Sequence, residues 1–254
     1  MAAYNILHLG GFGAVGRRLP RLLPSLLPSH SSISVTCLDC PPIPPDGFDV
    51  PHSIEYNYIQ LPPRDPNNSV LQERTLVHIS SEIEPNSLDL IISTSGHWMP
   101  GNLPTPQSSN EEVMAFADSY ASLHASCVEP TVAALTLAGK YLKPTGSLVL
   151  TGAQAAVSPV TNDTCGGMLT YGFVKSFTNT LAQYAATNCD FTTIVYHPTT
   201  IDTEANRNAM PDADHETWNN VDEMVSKVIE KALKNEGGEY TVRTEGGKTD
   251  LVKL

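Results

Sequence analysis

Near its N-terminal end, the apolar run Tyr4-Asn5-Ile6-Leu7-His8-Leu9 passes without a break into Gly10-Gly11-Phe12-Gly13-Ala14-Val15-Gly16. A short apolar run ending in turn residues reads as a buried strand. Glycines spaced Gly11-x-Gly13-x-x-Gly16 directly behind such a strand have the spacing of a dinucleotide-binding loop. The first glycine permits the tight turn, the second lets backbone approach a pyrophosphate, and the third lets helix and strand pack closely. Phosphate oxygens then meet the free N–H groups at the start of the next helix. The competing reading is a turn that is merely rich in glycine, and the placement behind a strand favours the nucleotide.

The helix expected next is interrupted. Pro20, Pro24 and Pro28 recur through RRLPRLLPSLLPSH, and an interior proline removes a hydrogen bond and kinks a helix. A short or bent helix is therefore expected, with Leu19, Leu22, Leu23, Leu26 and Leu27 as its apolar face. A second strand, Ile33 to Leu38, ends at Asp39. Residues 41–69 are rich in proline and turn residues and read as a long surface excursion. Leu88 to Ser93 reads as a buried strand running into the loop 94–102. Helical patterning follows from about Glu111 to Leu142, broken or kinked near Pro130. Then come a strand over 147–151, a helix over 168–186, a strand over 191–196, a helix over 221–233 and strand-like pieces near 240–243 and 251–252. Strands alternating with helices imply an α/β fold, a Rossmann-type doubly wound, mostly parallel sheet. No internal repeat or linker divides residues 1–254, so a single nucleotide-binding domain is expected.

Composition narrows the function by exclusion. Lys plus Arg number 15 and Asp plus Glu 27, for a net charge of −12. That balance argues against a general phosphate-backbone binder, so no nucleic acid is expected. The apolar stretches fall well short of the roughly 20 residues that span a bilayer, so no membrane partner is expected. The first residues lack a basic segment followed by an apolar run and a cleavage site. Cys37, Cys40, Cys127, Cys165 and Cys189 form an odd, scattered set that fits free thiols in a reducing compartment. The glycosylation-like triplets at Asn67 and Asn162 carry no weight without export. Together these imply a cytoplasmic protein.

Two further positions carry chemistry. A carboxylate at the end of the second strand, here Asp39, can accept hydrogen bonds from the ribose hydroxyls of an adenosine and repels a 2′-phosphate. Asp39 therefore favours NADH over NADPH, while Arg17 and Arg18 lie close enough in sequence to serve a 2′-phosphate instead. The other reading of Asp39 is an ordinary turn-initiating aspartate before Cys40-Pro41-Pro42. In Tyr171-Gly172-Phe173-Val174-Lys175 the phenol and the ammonium share one helix face. A nearby cation favours the ionised phenol, so a lowered pKa is expected for Tyr171. The pair alone is common, but downstream of a glycine fingerprint it becomes specific.

With these residues placed, the chain resembles the short-chain dehydrogenase/reductase family over its full length. The carrying segments are residues 10–16, Gly96-His97-Trp98-Met99-Pro100-Gly101-Asn102, Gly152-Ala153-Gln154-Ala155-Ala156, residues 171–175 and Pro198-Thr199-Thr200-Ile201-Asp202-Thr203. The stretch Asn206 to Asp214 with Trp218, and Thr244 to Thr249, are similar to the dihydropteridine reductases within that family. The resemblance implies reduction of quinonoid dihydropterin by NADH, with Tyr171 as proton donor and Lys175 as its electrostatic partner and ribose ligand. It implies cofactor contacts from Gly10, Gly11, Phe12, Gly13, Ala14, Val15, Gly16, Asp39, Gly96, Tyr171, Lys175, Pro198 and Thr203. The implied pterin pocket holds Trp98, His97, Ala153 and Tyr171, no metal is called for, and a homodimer packed through helices beside Tyr171 and Lys175 is expected.

There are also departures. Most reductases of the family place a serine thirteen residues before the tyrosine. Counting gives Ser158, whereas matching the strand end puts Ala153 at that site. Dihydropteridine reductases also lack the serine, and a quinonoid substrate is already electrophilic, so less polarisation is needed. The usual helix asparagine is missing too, with Ser126 or Cys127 in its neighbourhood. Residues 157–167 are several residues longer than the family pattern.

Other signals weigh less. Cys37-x-x-Cys40 stands without a second pair and reads as structural thiols rather than a metal or redox site. His97 could relay a proton or simply be polar surface. Trp218 reads as packing a lid or helix start, and Asp212, Asp214 and Glu216 as a solvated turn. Two rivals remain: a reductase of the same fold acting on another quinonoid or carbonyl compound, and a nucleotide-binding regulatory protein needing no proton donor. The intact Tyr171 and Lys175 pair weighs against the second.

Overall fold

A computed structural model of the chain describes residues 3–27, 32–41, 44–61, 79, 83–102, 104–157 and 168–254. The first strand, β1 (Tyr4–Leu9), turns Ile6 toward one apolar layer and Leu7 and Leu9 toward the other. It pairs in parallel with β2 (Ile33–Asp39) and β4 (Leu88–Ser93). Outward from these lie β3 (Ile54–Gln60), β5 (Leu142–Thr151), β6 (Thr192–His197), β7 (Gly238–Glu245) and β8 (Lys248–Lys253). The eight strands run in the order β3-β2-β1-β4-β5-β6-β7-β8, parallel except for β8. This is the doubly wound α/β architecture that strand and helix alternation implied.

Both faces are covered. Leu19 and Leu23 of α1 (Leu19–Leu26) pack with Val221, Met224 and Val228 of α6 (Val221–Leu233) on one side. On the other, Ala134, Leu137 and Tyr141 of α3 (Glu129–Tyr141) pack with Ala182 and Ala185 of α4 (Leu169–Asn188) against Leu7, Leu148 and Leu150. Burying an aliphatic side chain in these layers contributes about 1.5–3 kcal/mol. Helix α1 is as short as its prolines require: Pro20 sits in its first turn, where no N–H is needed, and Pro24 lies inside.

One expectation about the elements is corrected. The stretch 41–69 is not wholly a surface excursion, because it contains β3. Ile54, Tyr56 and Tyr58 alternate on an edge strand that is only half covered, so its apolar signal is weak, and its prolines flank rather than interrupt it. Residues 42, 43 and 62–69 of the stretch lie outside the described residues, as do residues 158–167 of the lengthened segment 157–167, Ser158 among them. The break expected near Pro130 in the helical stretch 111–142 is present: α2 (Asn110–Leu123) and α3 are joined by a π-turn over His124–Val128. Pro130 lacks an N–H, and one turn before it the ladder loosens, with the Thr131 hydroxyl donating to the Cys127 carbonyl at 2.7 Å. A short helix, α5 (Glu204–Ala209), was not anticipated.

Candidate active site

The strand order reverses between β1 and β4, and at their carboxyl ends such sheets open a crevice for ligands. The glycine loop fills one side of it. Gly10 has φ +82°, a conformation in the left-handed region. Its N–H donates to the Leu38 carbonyl at 2.9 Å and its carbonyl accepts from the Thr94 hydroxyl at 3.0 Å. A Cβ on Gly16 would lie 2.3 Å from the Gly10 carbonyl oxygen, so only glycine lets the loop fold back on itself. Gly13 and Ala14 stand exposed at the crest, and a Cβ on Gly13 would meet nothing nearer than that same carbonyl, at 3.5 Å. Backbone there is open to a phosphate. Beneath the loop, His8 is fully buried with Nε2 2.9 Å from the Thr94 hydroxyl, and burial pushes its pKa down to about 3.

Asp39 ends β2 beside the loop. Its carboxylate accepts from the Phe12 N–H and from its neighbour Cys40 N–H, each at 2.8 Å. Phe12 packs against Tyr58 and Phe48, with ring centroids 4.7 and 5.1 Å apart, so β3 and its approach wall the Asp39 side. Arg21 donates to the Gly47 carbonyl at 2.7 Å, and Arg18 lies 3.5 Å from Asp222. Of the Cys37-x-x-Cys40 pair, Cys37 is buried beneath Gly11, with its thiol pushed up to about 11, and Cys40 is exposed.

Helix α4 brings Tyr171 and Lys175 to the other side of the crevice. The Lys175 ammonium is buried, donates to the Thr151 carbonyl at 2.9 Å and lies 5.9 Å from the centre of the Tyr171 ring. Gly96, with φ +133°, faces it: a Cβ there would lie 3.1 Å from the Cys127 sulfur and 3.4 Å from Lys175 Nζ. The expected lowering of the Tyr171 pKa is not what the surroundings give. Burial first, then Cys127 and Tyr196, push the phenol above its usual value, and burial holds Lys175 below its own. Desolvation outweighs the nearby cation, so the phenol stays protonated at neutral pH.

Around this pair, Trp98 is half exposed with Nε1 2.8 Å from the Met168 sulfur, and His97 Nε2 lies 3.2 Å from the Ser122 hydroxyl. Ala153 is buried at the end of β5, where it offers no hydroxyl. Pro198 accepts from the Gln154 N–H at 2.9 Å. Thr203 caps α5 and faces Ala14 and Arg17 of the glycine segment across a recess of about 290 Å³ that Asn208 also lines. Val15 lies just outside the recess lining, between the exposed crest and buried Gly16.

Known proteins share this architecture. No family model matches the chain. A dihydropteridine reductase from Dictyostelium discoideum is 26% identical over 233 residues, which cover 89% of this chain and 86% of that protein. A putative dehydrogenase from Burkholderia cenocepacia with bound NADP superposes with a TM-score of 0.69 at 15% identity, covering 98% of this chain and 95% of that one. A short-chain dehydrogenase/reductase from Serratia marcescens gives 0.63 at 17% identity, covering 90% of each. The fold is that of the short-chain dehydrogenase/reductases.

Within that fold, three buried polar groups lie near the crevice, of which reading the sequence placed Cys127 and missed His197 and Asn219. Cys127 stands in the π-turn with its thiol 3.8 Å from the His97 carbonyl; a helix broken before Pro130 was the available signal. His197 ends β6 with Nε2 2.8 Å from Glu239 of β7, filling the space a Gly152 side chain would need. Asn219 follows Trp218 and is fully buried. No spacing rule marks either of the last two, because their partners come from distant strands. Among the described residues no helix is long and apolar enough to cross a membrane, and no group of three His, Cys, Asp or Glu could hold a metal.

Proposed function

We propose that this chain is an oxidoreductase that uses NADH to reduce quinonoid dihydropteridine to tetrahydropteridine, acting as a homodimer. One observation carries the reading: a buried, anchored Lys175 beneath Tyr171, faced by side-chain-free Gly96, at the carboxyl ends of the strands that also carry the glycine loop. The Dictyostelium relative supports the pterin.

The residues fit a nicotinamide nucleotide, since backbone at Gly13 is open to its phosphates and the recess between Ala14 and Thr203 adjoins the same loop. When bound, the nicotinamide supplies a hydride from its C4 position. Tyr171 supplies the accompanying proton, and its raised pKa keeps that proton in place at neutral pH. Lys175, held by the Thr151 carbonyl, stabilises the phenolate left behind and reaches a ribose hydroxyl. Gly96 keeps the approach to Lys175 clear. Ala153 gives no hydroxyl to polarise a carbonyl, which suits a substrate that is electrophilic already. The exposed ring of Trp98 offers a flat face for a pterin, with His97 at the rim.

Asp39 supports NADH, since its carboxylate would repel a 2′-phosphate; of the two arginines that could serve such a phosphate, Arg18 lies 3.5 Å from Asp222, and Arg17 lines the recess beside Ala14. The homodimer is supported by an exposed apolar face: Val113 and Met114 on α2, and Phe173, Phe177 and Tyr184 on α4. Unpaired Cys37, Cys40, Cys127 and Cys189 fit the cytoplasm.

The test is NADH oxidation with chemically generated quinonoid dihydropterin, beside simple ketones. Fast turnover of the pterin and little of the ketones supports the reading. Ketone turnover without pterin turnover overturns the substrate, and failure to bind any nicotinamide nucleotide overturns the reading as a whole.

A further inference from the structure

His97 follows Gly96 in the loop that leaves β4, and its side chain is exposed. Its ring Nε2 lies 3.2 Å from the Ser122 hydroxyl on α2, and its carbonyl lies 3.8 Å from the Cys127 thiol in the π-turn. Backbone and ring are thus both tied to the helical layer, while the imidazole stays open to solvent. The other ring nitrogen, Nδ1, meets no protein partner among the described residues.

The loop brings this ring to the Lys175 side of the crevice. A Cβ on Gly96 would lie 3.4 Å from Lys175 Nζ, so the backbone next to His97 runs against the ammonium. Partial burial first, and then the Lys175 charge, hold the imidazole pKa below its usual value. Three other titratable groups lie within electrostatic reach of Tyr171 or Lys175, namely Cys127, Tyr196 and His197. Each of those three is 1% exposed or less. They cannot exchange a proton with water directly, whereas His97 can.

We propose that His97, oriented by Ser122, carries protons from solvent to the pair formed by Tyr171 and Lys175. This rests on the functional reading above, in which each turnover takes the proton of the Tyr171 hydroxyl and leaves a phenolate beside Lys175. That proton has to be returned from solvent before the next cycle. An imidazole titrates close enough to neutrality to take a proton from water and release it inward. In the returning step an N–H bond of protonated His97 breaks, the proton passes to the pair and ends on the phenolate oxygen, and the neutral ring takes its replacement from solvent.

The experiment follows NADH oxidation with quinonoid dihydropterin by the purified full chain at about pH 8, in weak buffer and again with added imidazole. His97→Gln, whose amide can still reach Ser122 but does not titrate, should lower kcat on the order of 10-fold in weak buffer, with KM for the pterin little changed. Added imidazole should restore most of that loss and leave the wild-type rate as it was. Ser122→Ala keeps the ring but frees it, and should lower kcat less, with the same rescue. In a Tyr171→Phe background His97→Gln should cost nothing further, since no phenolate is left to recharge. A His97→Gln chain that matches wild type, that changes in KM alone, or that is slow and stays slow with imidazole overturns the proposal and leaves the functional reading standing. A wild-type chain that turns over no pterin overturns both.

Discussion

The Phe12 N–H donates to the Asp39 carboxylate across 2.8 Å, tying the glycine loop to the end of β2. The carboxylate therefore holds the loop in shape, and on the proposed reading it also places a negative charge beside the nucleotide. Asn in its place keeps an acceptor for Phe12 and removes the charge. Asp39→Asn should lower the KM for NADPH by about 10-fold or more while changing that for NADH little. The check is steady-state kinetics with both cofactors. A wild-type chain that prefers NADPH would contradict this role of Asp39.

His8 makes stability depend on pH. Its ring is buried and neutral, with a pKa pushed down to about 3, while the unfolded chain protonates it near 6.5. Between those values the unfolded state binds more protons, so stability is full above about 6.5 and falls as pH drops toward 3. The loss from this group is about 1.4 kcal/mol per pH unit inside that window. Urea unfolding at about pH 7 and about pH 5 should show a lower midpoint in acid, and His8→Gln should flatten that difference. An equal acid shift in the variant would contradict it.

Much of this fold was legible from residue pattern. Tyr4 to Leu9 and Val221 to Leu233 are strand and helix to the residue, since each is apolar on the faces it buries and bounded by clear turn or cap residues. The edge strand β3 was not, because half of it faces solvent and prolines surround it. The candidate site divides similarly. Gly10 to Gly16, Asp39, Tyr171 and Lys175 follow from spacing along one strand end or one helix. Cys127 beside Gly96, His197 beside Glu239 and Asn219 beside Thr199 come from pairings that only the folded sheet creates. The sign of the Tyr171 pKa shift was misread for the same reason: sequence shows the neighbouring Lys175 but not how deeply both are buried.

The exposed aromatic face should behave as a contact between copies. Phe173 packs against Tyr120 and Phe177 at centroid distances of 6.3 and 5.8 Å, and all belong to α2 and α4. Phe173→Glu places a charge at the centre of that face and should convert a dimer into a monomer that still binds NADH. Light scattering of both proteins decides it, and a monomeric wild-type chain would contradict it.

The most direct test is the rate of NADH oxidation with quinonoid dihydropterin in the wild-type chain and in Tyr171→Phe, each saturated with NADH. Removing the phenolic proton should slow turnover by about 10²- to 10⁴-fold in a protein that still binds NADH. Equal rates in the two proteins would contradict the role of Tyr171 and with it the chemistry proposed for this site.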